Sequence, residues 1–274
     1  MISLITSLYK SERYLPKYLK SIERFAVFLK NKNIDFEFLI IANDPSQKEK
    51  KLISESLKIN SFIRYFEVKR EPLYCTWNRG VRLSKGDVLS FWNVDDIRHP
   101  DAVVDSLDSV SQGAQVVYFT VQIKWYLSML NFSIPVKYKR VVPPLYSRKE
   151  FVKSMHCGPF FVFTKEIYQK VGPFDEQFKI VGDFDWCTRA ARITDKFVRL
   201  DKSAGLFCVD GTGLSSGGKP IHVAENNIVY IRQNAKEKIE EVDQELVSRY
   251  DPERILYQGN WYDFNSLPDL KKVD

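Results

Sequence analysis

The sequence predicts an α/β fold built on a Rossmann-like, mostly parallel sheet with helices on both faces. Over the first hundred of its 274 residues, short apolar runs that are typical of buried strands alternate with segments of helical periodicity. Parallel neighbours need such helical crossovers, because the chain must return to the same end of the sheet before the next strand begins. A Gly-rich stretch and a polar, mainly helical segment are expected to follow from residue 211.

The elements of the first half follow in regular order. A strand at residues 2–6 precedes a helix whose apolar positions recur at a helical spacing: Leu15, Tyr18, Leu19, Ile22, Phe25, Ala26 and Leu29. Strands are predicted at 36–42, 62–68 and 88–92, and helices at 47–57 and 75–83. Asp44 and the pair Asp95–Asp96 directly follow two of these strands. Because ligands on such sheets bind beyond the carboxyl ends of strands, these carboxylates indicate one shared crevice.

The second half is less regular. We predict strands at 116–122 and 160–163 and helices at 149–155, 165–170 and 183–192, with an aromatic and basic stretch at 125–146. Residues 211–218 are expected to form a lid-like loop and residues 222–249 a helix.

Composition narrows the class of protein. The formal charge of +6 is too small to indicate nucleic-acid binding. The four cysteines are widely spaced and predict reduced thiols. The chain opens with a strand pattern instead of a signal peptide, and no apolar run approaches the roughly 20 residues of a membrane-spanning helix. We therefore expect a cytoplasmic protein.

The densest chemical signal is Asn93-Val94-Asp95-Asp96, at the end of a buried strand. Adjacent carboxylates at a sheet edge repel each other unless a cation lies between them, and hard oxygen ligands favour Mg²⁺ or Mn²⁺. A cation held in this way could in turn bind a diphosphate. The alternative is structural, with Asp96 or Asp101 capping the next helix.

Several motifs together resemble family 2 glycosyltransferases, which have the A-type nucleotide-diphospho-sugar transferase fold. The resemblance covers residues 1–210 and is carried by the segments 3–10, 40–44, 78–80, 85–87, 91–96, 170–176 and 182–186, in that order. It implies a nucleotide-sugar-binding half at 1–110, an acceptor and catalytic half at 111–210, and a C-terminal extension at 211–274. Asn93 departs from the family, which usually has Asp at this position.

The resemblance also implies roles for individual residues. Asp183 would be the catalytic base, and Asp95 and Asp96 the ligands of Mn²⁺ or Mg²⁺. The residues implied in nucleotide binding are Thr6, Leu8, Asp44, Asn78 and Asp95. For Asp183 the structural alternative is a helix N-cap, and Asp185 is the competing base.

The implied activity is inverting transfer of a sugar, most simply from a UDP-linked donor, to a glycan or lipid-linked glycan acceptor. Peripheral association with the inner face of a membrane would accompany a lipid-linked acceptor. Two alternatives stay open: a sugar-phosphate nucleotidyltransferase, and an inactive sugar-binding scaffold. Lys137, Lys139, Arg140 and Arg148 form a basic cluster that could contact an anionic ligand or simply face solvent.

Overall fold

The computed structural model describes residues 1–129, 132–211, 213, 220–266 and 272–273. The first half contains β1 (Ile2–Leu8), α1 (Leu15–Asn31), β2 (Phe36–Asn43), α2 (Gln47–Leu57), β3 (Ile63–Val68), α3 (Leu73–Leu83), β4 (Val88–Phe91), β5 (Ile97–Arg98) and α4 (Pro100–Ser111). The second half contains β6 (Val116–Met129), β7 (Phe132–Val141), α5 (Arg148–Phe151), β8 (Val162–Thr164), α6 (Lys165–Val171), α7 (Gly182–Ile193) and β9 (Phe197–Val209). The α/β class predicted from the sequence is confirmed.

One mixed sheet forms the centre of the molecule, in the strand order β3-β2-β1-β4-β8-β6-β9-β5, with β7 paired to β6. β1 pairs in parallel with β2 and β4, and β2 with β3, so the predicted parallel order holds throughout the first half. Beyond β4 the pairing alternates, because β8 is antiparallel to both β4 and β6 while β9 is parallel to β6. The ends of β1, β2 and β4 therefore share one edge of the sheet.

Helices cover both faces of this sheet, and the strand residues alternate between two hydrophobic cores. Leu4 and Ile40 pack with α1, α2 and α4 on one face, while Ile5 and Ile41 pack with α3, α6 and α7 on the other. This alternation follows from the two-residue period of a strand and explains the continuous apolar runs in the sequence. All seven apolar positions predicted for α1 are buried.

The C-terminal segment differs from the helix predicted for residues 222–249. It contains α8 (Pro220–Arg232), a 3₁₀ turn (Lys236–Lys238), α9 (Gln244–Val247), β10 (Arg254–Tyr257), β11 (Asn260–Asp263), a 3₁₀ turn (Phe264–Ser266) and β12 (Lys272–Val273). The helix ends because Asn234 adopts a left-handed backbone (φ 53°) and the Ala235 N–H returns to the Tyr230 carbonyl. β10, β11 and β12 form a small antiparallel sheet, which the sequence analysis missed.

Three further expectations concern the cysteines, the membrane-spanning potential of the helices and the lid. The four cysteines are free thiols, as predicted. Across the part of the chain that the structure describes, no helix combines the length and apolarity needed to cross a bilayer. The predicted lid at 211–218 lies, apart from Gly211 and Gly213, outside the described residues.

Candidate active site

A cavity of about 680 Å³ opens at the sheet edge where β1, β2 and β4 end. Residues from both halves line it, among them Tyr9, Asn43, Arg70, Asn93, Asp95, Lys179, Asp183 and Asp210. A smaller cavity of about 260 Å³ adjoins it and shares Tyr14, Val94, Asp95, Cys208 and Asp210. The structure thus brings two of the predicted site residues, Asp95 and Asp183, to the same cavity, which is within the size range of small-molecule sites.

Asp183 is the second residue of α7 and reaches the cavity from the helix N-terminus. Its Oδ1 accepts hydrogen bonds from the Phe184 N–H (2.9 Å) and the Tyr74 hydroxyl (3.3 Å). Burial raises the pKa of Asp183 to about 6, although both hydrogen bonds oppose the rise. The cap position is Val181, so Asp183 is not the N-cap. A carboxylate with this pKa is mostly unprotonated at neutral pH and can accept a proton.

Asp185, the competing candidate for the catalytic base, is fully buried, and both of its oxygens accept hydrogen bonds. Its Oδ2 accepts from Arg189 Nε and its Oδ1 from Arg232 Nη1, both at 2.8 Å. Arg232 also donates to Asp175 Oδ2 (2.8 Å), so this one side chain of α8 binds both α7 and the turn after α6. These charge-assisted bonds hold the pKa of Asp185 below its usual value despite burial. Asp185 therefore has a structural role, and Asp183 is the carboxylate left to face the cavity.

The loop that leads into α7 is anchored by Glu225 of α8, a fully buried carboxylate. Glu225 accepts hydrogen bonds from three successive backbone N–H groups at residues 179–181, at 2.8 to 3.0 Å, and from the Tyr250 hydroxyl at 2.8 Å. Its negative charge also contributes to the raised pKa of Asp183. Glu225 thus fixes the loop immediately before the base and affects the base electrostatically. The sequence analysis did not identify it.

Asp95 faces Asp210 across the boundary between the two cavities. Burial, followed by the negative charge of Asp210, raises the pKa of Asp95. Asp210 accepts a hydrogen bond from the Tyr14 hydroxyl and lies 3.7 Å from the Arg13 guanidinium. The sequence analysis missed Asp210 because it missed β9, the strand that Asp210 follows. With that strand assigned, the strand-end rule that flagged Asp95 would also have flagged Asp210.

Asp96 is more deeply buried than Asp95, and both of its oxygens are engaged by the protein. Oδ1 accepts from the Cys208 N–H (2.9 Å) and Oδ2 from the Asn93 side-chain amide (3.1 Å). Burial and the neighbouring Asp95 charge raise the pKa of Asp96 well above its usual value. An aspartate at position 93 could not donate this hydrogen bond, so Asn93 has a structural role in this chain. Asp96 thus ties the turn after β4 to β9. It also lines the smaller cavity, and its role as a metal ligand stays a prediction.

The carboxylates of Asp95 and Asp210 are suited to hold a hard divalent cation that also binds a ligand. In the described ranges, no three His, Cys, Asp or Glu side chains form a metal-binding group. Asp95 and Asp210 nevertheless place two carboxylates at the cavity, and burial together with the Asp210 charge raises the pKa of Asp95, an effect that a bound cation would offset. Mg²⁺ is commonly held by one or two carboxylates together with substrate phosphates and water, and this donor set matches that pattern.

The opposite end of the cavity is formed by the loops after β1 and β3. The Arg70 guanidinium stacks on the Tyr9 ring with its central carbon 3.4 Å from the ring centroid. Asn43, at the end of β2, lines this end and accepts from the Glu71 N–H (3.1 Å). Asp44, which was predicted to bind the nucleotide, directly follows Asn43. It is exposed and is not among the described residues that line the cavity.

Three other predicted nucleotide-binding residues are committed to the protein interior. Thr6 is fully buried, contacts the Tyr18 hydroxyl at 2.5 Å and donates to the Trp92 carbonyl at 2.8 Å. Leu8 belongs to the core beneath α1. Asn78 uses its whole amide on α6 and the turn after it, accepting from Tyr168 and donating to the Phe174 carbonyl. None of the three is among the described residues that line the cavity, and their part in nucleotide binding stays a prediction.

Comparison with known families agrees with this architecture. Residues 3–172 match the model of the family "Glycosyl transferase family 2". The chain belongs to this family. It is therefore a glycosyltransferase, and the resemblance inferred from its motifs is confirmed.

Relatives and solved structures extend the likeness. An "Uncharacterized glycosyltransferase" of Haemophilus influenzae is 21% identical over 243 residues, covering 88% of this chain and 79% of the relative. Chondroitin synthase of Escherichia coli is 24% identical over 189 residues, which is 66% of this chain and only 26% of that enzyme.

Two solved structures share the fold at low identity. TarS 1–349 of S. aureus in complex with UDP-GlcNAc has a TM-score of 0.64 and 14% identity, over 88% of this chain and 68% of that one. A mannosyltransferase from Pyrobaculum calidifontis in complex with GDP-Man and Mn²⁺ has a TM-score of 0.58 and 10% identity, over 90% and 68%. Both matches support the A-type fold predicted from the sequence.

Proposed function

We propose that this glycosyltransferase inverts the anomeric centre of a nucleotide-diphosphate sugar, with Asp183 as the general base. The observation that carries the proposal is that Asp95, Asp210 and Asp183 line one cavity. Asp95 and Asp210 are suited to hold a cation that in turn binds a diphosphate. They share the cavity with Asp183, a carboxylate whose pKa is raised. Sugar transfer requires both a stabilised leaving group and a proton acceptor.

Asp183 performs the proton transfer in this proposal. An acceptor hydroxyl attacks the anomeric carbon and forms the new C–O bond, while the bond from that carbon to the diphosphate oxygen breaks. The hydroxyl proton passes to Asp183, and the bonding electrons leave with the diphosphate. Asp183 is suited to this role because burial raises its pKa to about 6, which keeps it unprotonated at neutral pH yet more basic than an exposed carboxylate.

Asp95 and Asp210 would hold Mn²⁺ or Mg²⁺, and a bound cation would supply charge stabilisation for the departing diphosphate. Asp96 holds the turn that carries Asp95 against β9, through its bonds to Asn93 and Cys208. The stacked Tyr9 and Arg70 provide a flat surface on which a nucleotide base can lie. A UDP-linked donor is proposed because UDP and UDP-GlcNAc are bound in solved structures that share this fold.

The acceptor is proposed to be a glycan or glycoconjugate. Exposed Lys179 lines the cavity beside Asp183, and the loops of the second half form the remaining wall. These loops come from the half that the resemblance assigns to the acceptor. Acceptor selectivity is expected to reside in this wall.

The proposal is tested by donor turnover. The protein is incubated with UDP-linked, GDP-linked and dTDP-linked sugars and Mn²⁺, and released nucleoside diphosphate and the anomeric configuration of the product are measured by NMR. We expect release from one donor class and an inverted product, both lost in Asp183→Asn. A product of retained configuration would contradict the mechanism, and no nucleotide binding at all would favour an inactive scaffold.

A further inference from the structure

One segment of the chain accounts for the whole formal net charge of +6. Residues 121–149, which span most of β6, all of β7 and the turn after it, contain six Lys or Arg and no Asp or Glu. Of the 41 basic residues in the chain, the other 35 are balanced by the 35 acidic ones. The segment includes the basic cluster noted in the sequence, and the proposed chemistry uses none of these cations.

The same segment exposes apolar side chains. Leu127, Ile134, Val136 and Tyr138 each expose 47% to 59% of their surface, and Val142 and Leu145 follow with 52% and 68%. β7 is an edge strand, since among the described strands it pairs with β6 alone. Soluble proteins seldom concentrate exposed apolar side chains in this way unless the surface binds something.

We call residues 121–149 the β6–β7 hairpin. This hairpin extends from the protein beside the active site. Tyr126 of β6 lines the smaller cavity together with Asp95 and Asp210. One residue further along β6, Leu127 is already exposed. A surface that docks on the hairpin would therefore lie next to the rim of the catalytic cavity.

We propose that the β6–β7 hairpin docks on an anionic lipid bilayer and holds the cavity over a lipid-linked acceptor. Apolar side chains can enter the interfacial region while Lys137, Lys139 and Arg140 contact anionic headgroups. A soluble polyanion would pair with the cations but leave the apolar side chains in water. A second copy of the chain would cover the apolar side chains but bring like charges together. The choice of acceptor rests on the proposed transferase function, whereas the docking itself does not.

The test is vesicle flotation of the purified protein, without donor or metal. Vesicles of phosphatidylcholine alone are compared with vesicles that also contain phosphatidylglycerol. The charge variant is Lys137→Ser/Lys139→Ser/Arg140→Ser, and the apolar variant is Ile134→Ser/Val136→Ser. The matched control is Lys20→Ser/Lys32→Ser/Lys58→Ser, which removes the same charge from exposed positions in α1 and directly after α1 and α2. Thermal unfolding and calorimetric binding of UDP with Mn²⁺ are measured for every variant.

We expect wild type and control to float with anionic vesicles, with binding that weakens as salt is raised. The charge variant should partition roughly one hundredfold more weakly and the apolar variant roughly tenfold more weakly. Unchanged UDP binding in these variants would show an intact site. If wild type binds no UDP, the proposed UDP-linked donor is wrong, while the flotation result can still be interpreted.

Four results would overturn the docking proposal. The first is absence of wild-type flotation on anionic vesicles, and the second is equal binding by the charge variant and the control. The third is binding that dextran sulfate reproduces and the apolar variant retains, which would identify a polyanion site. The last is a wild-type dimer that the apolar variant dissociates, which would identify a self-association surface.

Discussion

Glu225→Gln is the perturbation that separates positioning of the base from general folding. The substitution keeps the shape of the buried side chain but removes its charge and replaces one acceptor oxygen with an amide donor. If the remaining oxygen accepts from the N–H groups of Ile180 and Val181, the new amide faces the Lys179 N–H and the Tyr250 hydroxyl. Tyr250 can rotate its hydroxyl and accept, so one backbone donor is left without a partner. We expect a loss of about 1–3 kcal/mol in the free energy of unfolding.

The same substitution changes the pH dependence of turnover. Asp183 must be unprotonated to act, so kcat/KM falls as the pH decreases through its pKa of about 6. Because the Glu225 charge helps to raise that pKa, its removal lowers the pKa, and the acid limb moves to lower pH. The assay is kcat/KM for donor turnover across the acid range, beside urea unfolding at each pH.

Tyr250→Phe is the matched control, because it removes one hydrogen bond to Glu225 while leaving the carboxylate charge in place. Its acid limb should coincide with that of the wild type. An unshifted acid limb in a folded Glu225→Gln protein, or a shift toward higher pH, would refute the assignment of Asp183 as the base influenced by Glu225.

Three substitutions test the other carboxylates. Asp183→Asn should lower kcat by about 10²–10⁴-fold with nucleotide binding retained, and near-normal turnover would remove it as the base. Asp185→Asn leaves Arg189 and Arg232 partly uncompensated, so urea unfolding should show a loss of about 3–5 kcal/mol, and wild-type stability would contradict the buried ion-pair account. Asp210→Asn should weaken Mn²⁺ affinity roughly tenfold or more in calorimetry, whereas unchanged affinity would leave Asp95 without its proposed partner.

The sequence predicted the first half well because each element there is local in origin. β1, β2 and β4 are continuous apolar runs and α1 has a strict helical period, so pattern alone fixes their type and their order. Asp95 and Asp183, which the structure brings to one cavity, could be selected as candidates for the same reason, since each belongs to a recognisable motif at the start or end of an element.

The remaining site residues depend on contacts between distant segments. Asp210 was missed along with β9, a strand of mixed polarity that is stabilised mainly by pairing with β6. Glu225 lies in α8 outside every sequence motif, and its function is visible only when the loop at residues 179–181 folds onto it. Thr6, Leu8 and Asn78 occupy positions that the family motifs mark, yet their side chains turn into the core. The order of residues in a motif does not determine whether a side chain at a strand end or in a loop points into the core or into the cavity.

The measurement that tests the central claim most directly is calorimetric titration of UDP, GDP and dTDP, with and without Mn²⁺, into wild type, Asp95→Ala and Asp183→Asn. We predict Mn²⁺-dependent binding of one nucleoside diphosphate to wild type and to Asp183→Asn, and loss of that binding in Asp95→Ala. Nucleotide binding that is indifferent to Mn²⁺ and to Asp95, or no binding of any of the three, would contradict a metal-assisted nucleotide-sugar site in this cavity.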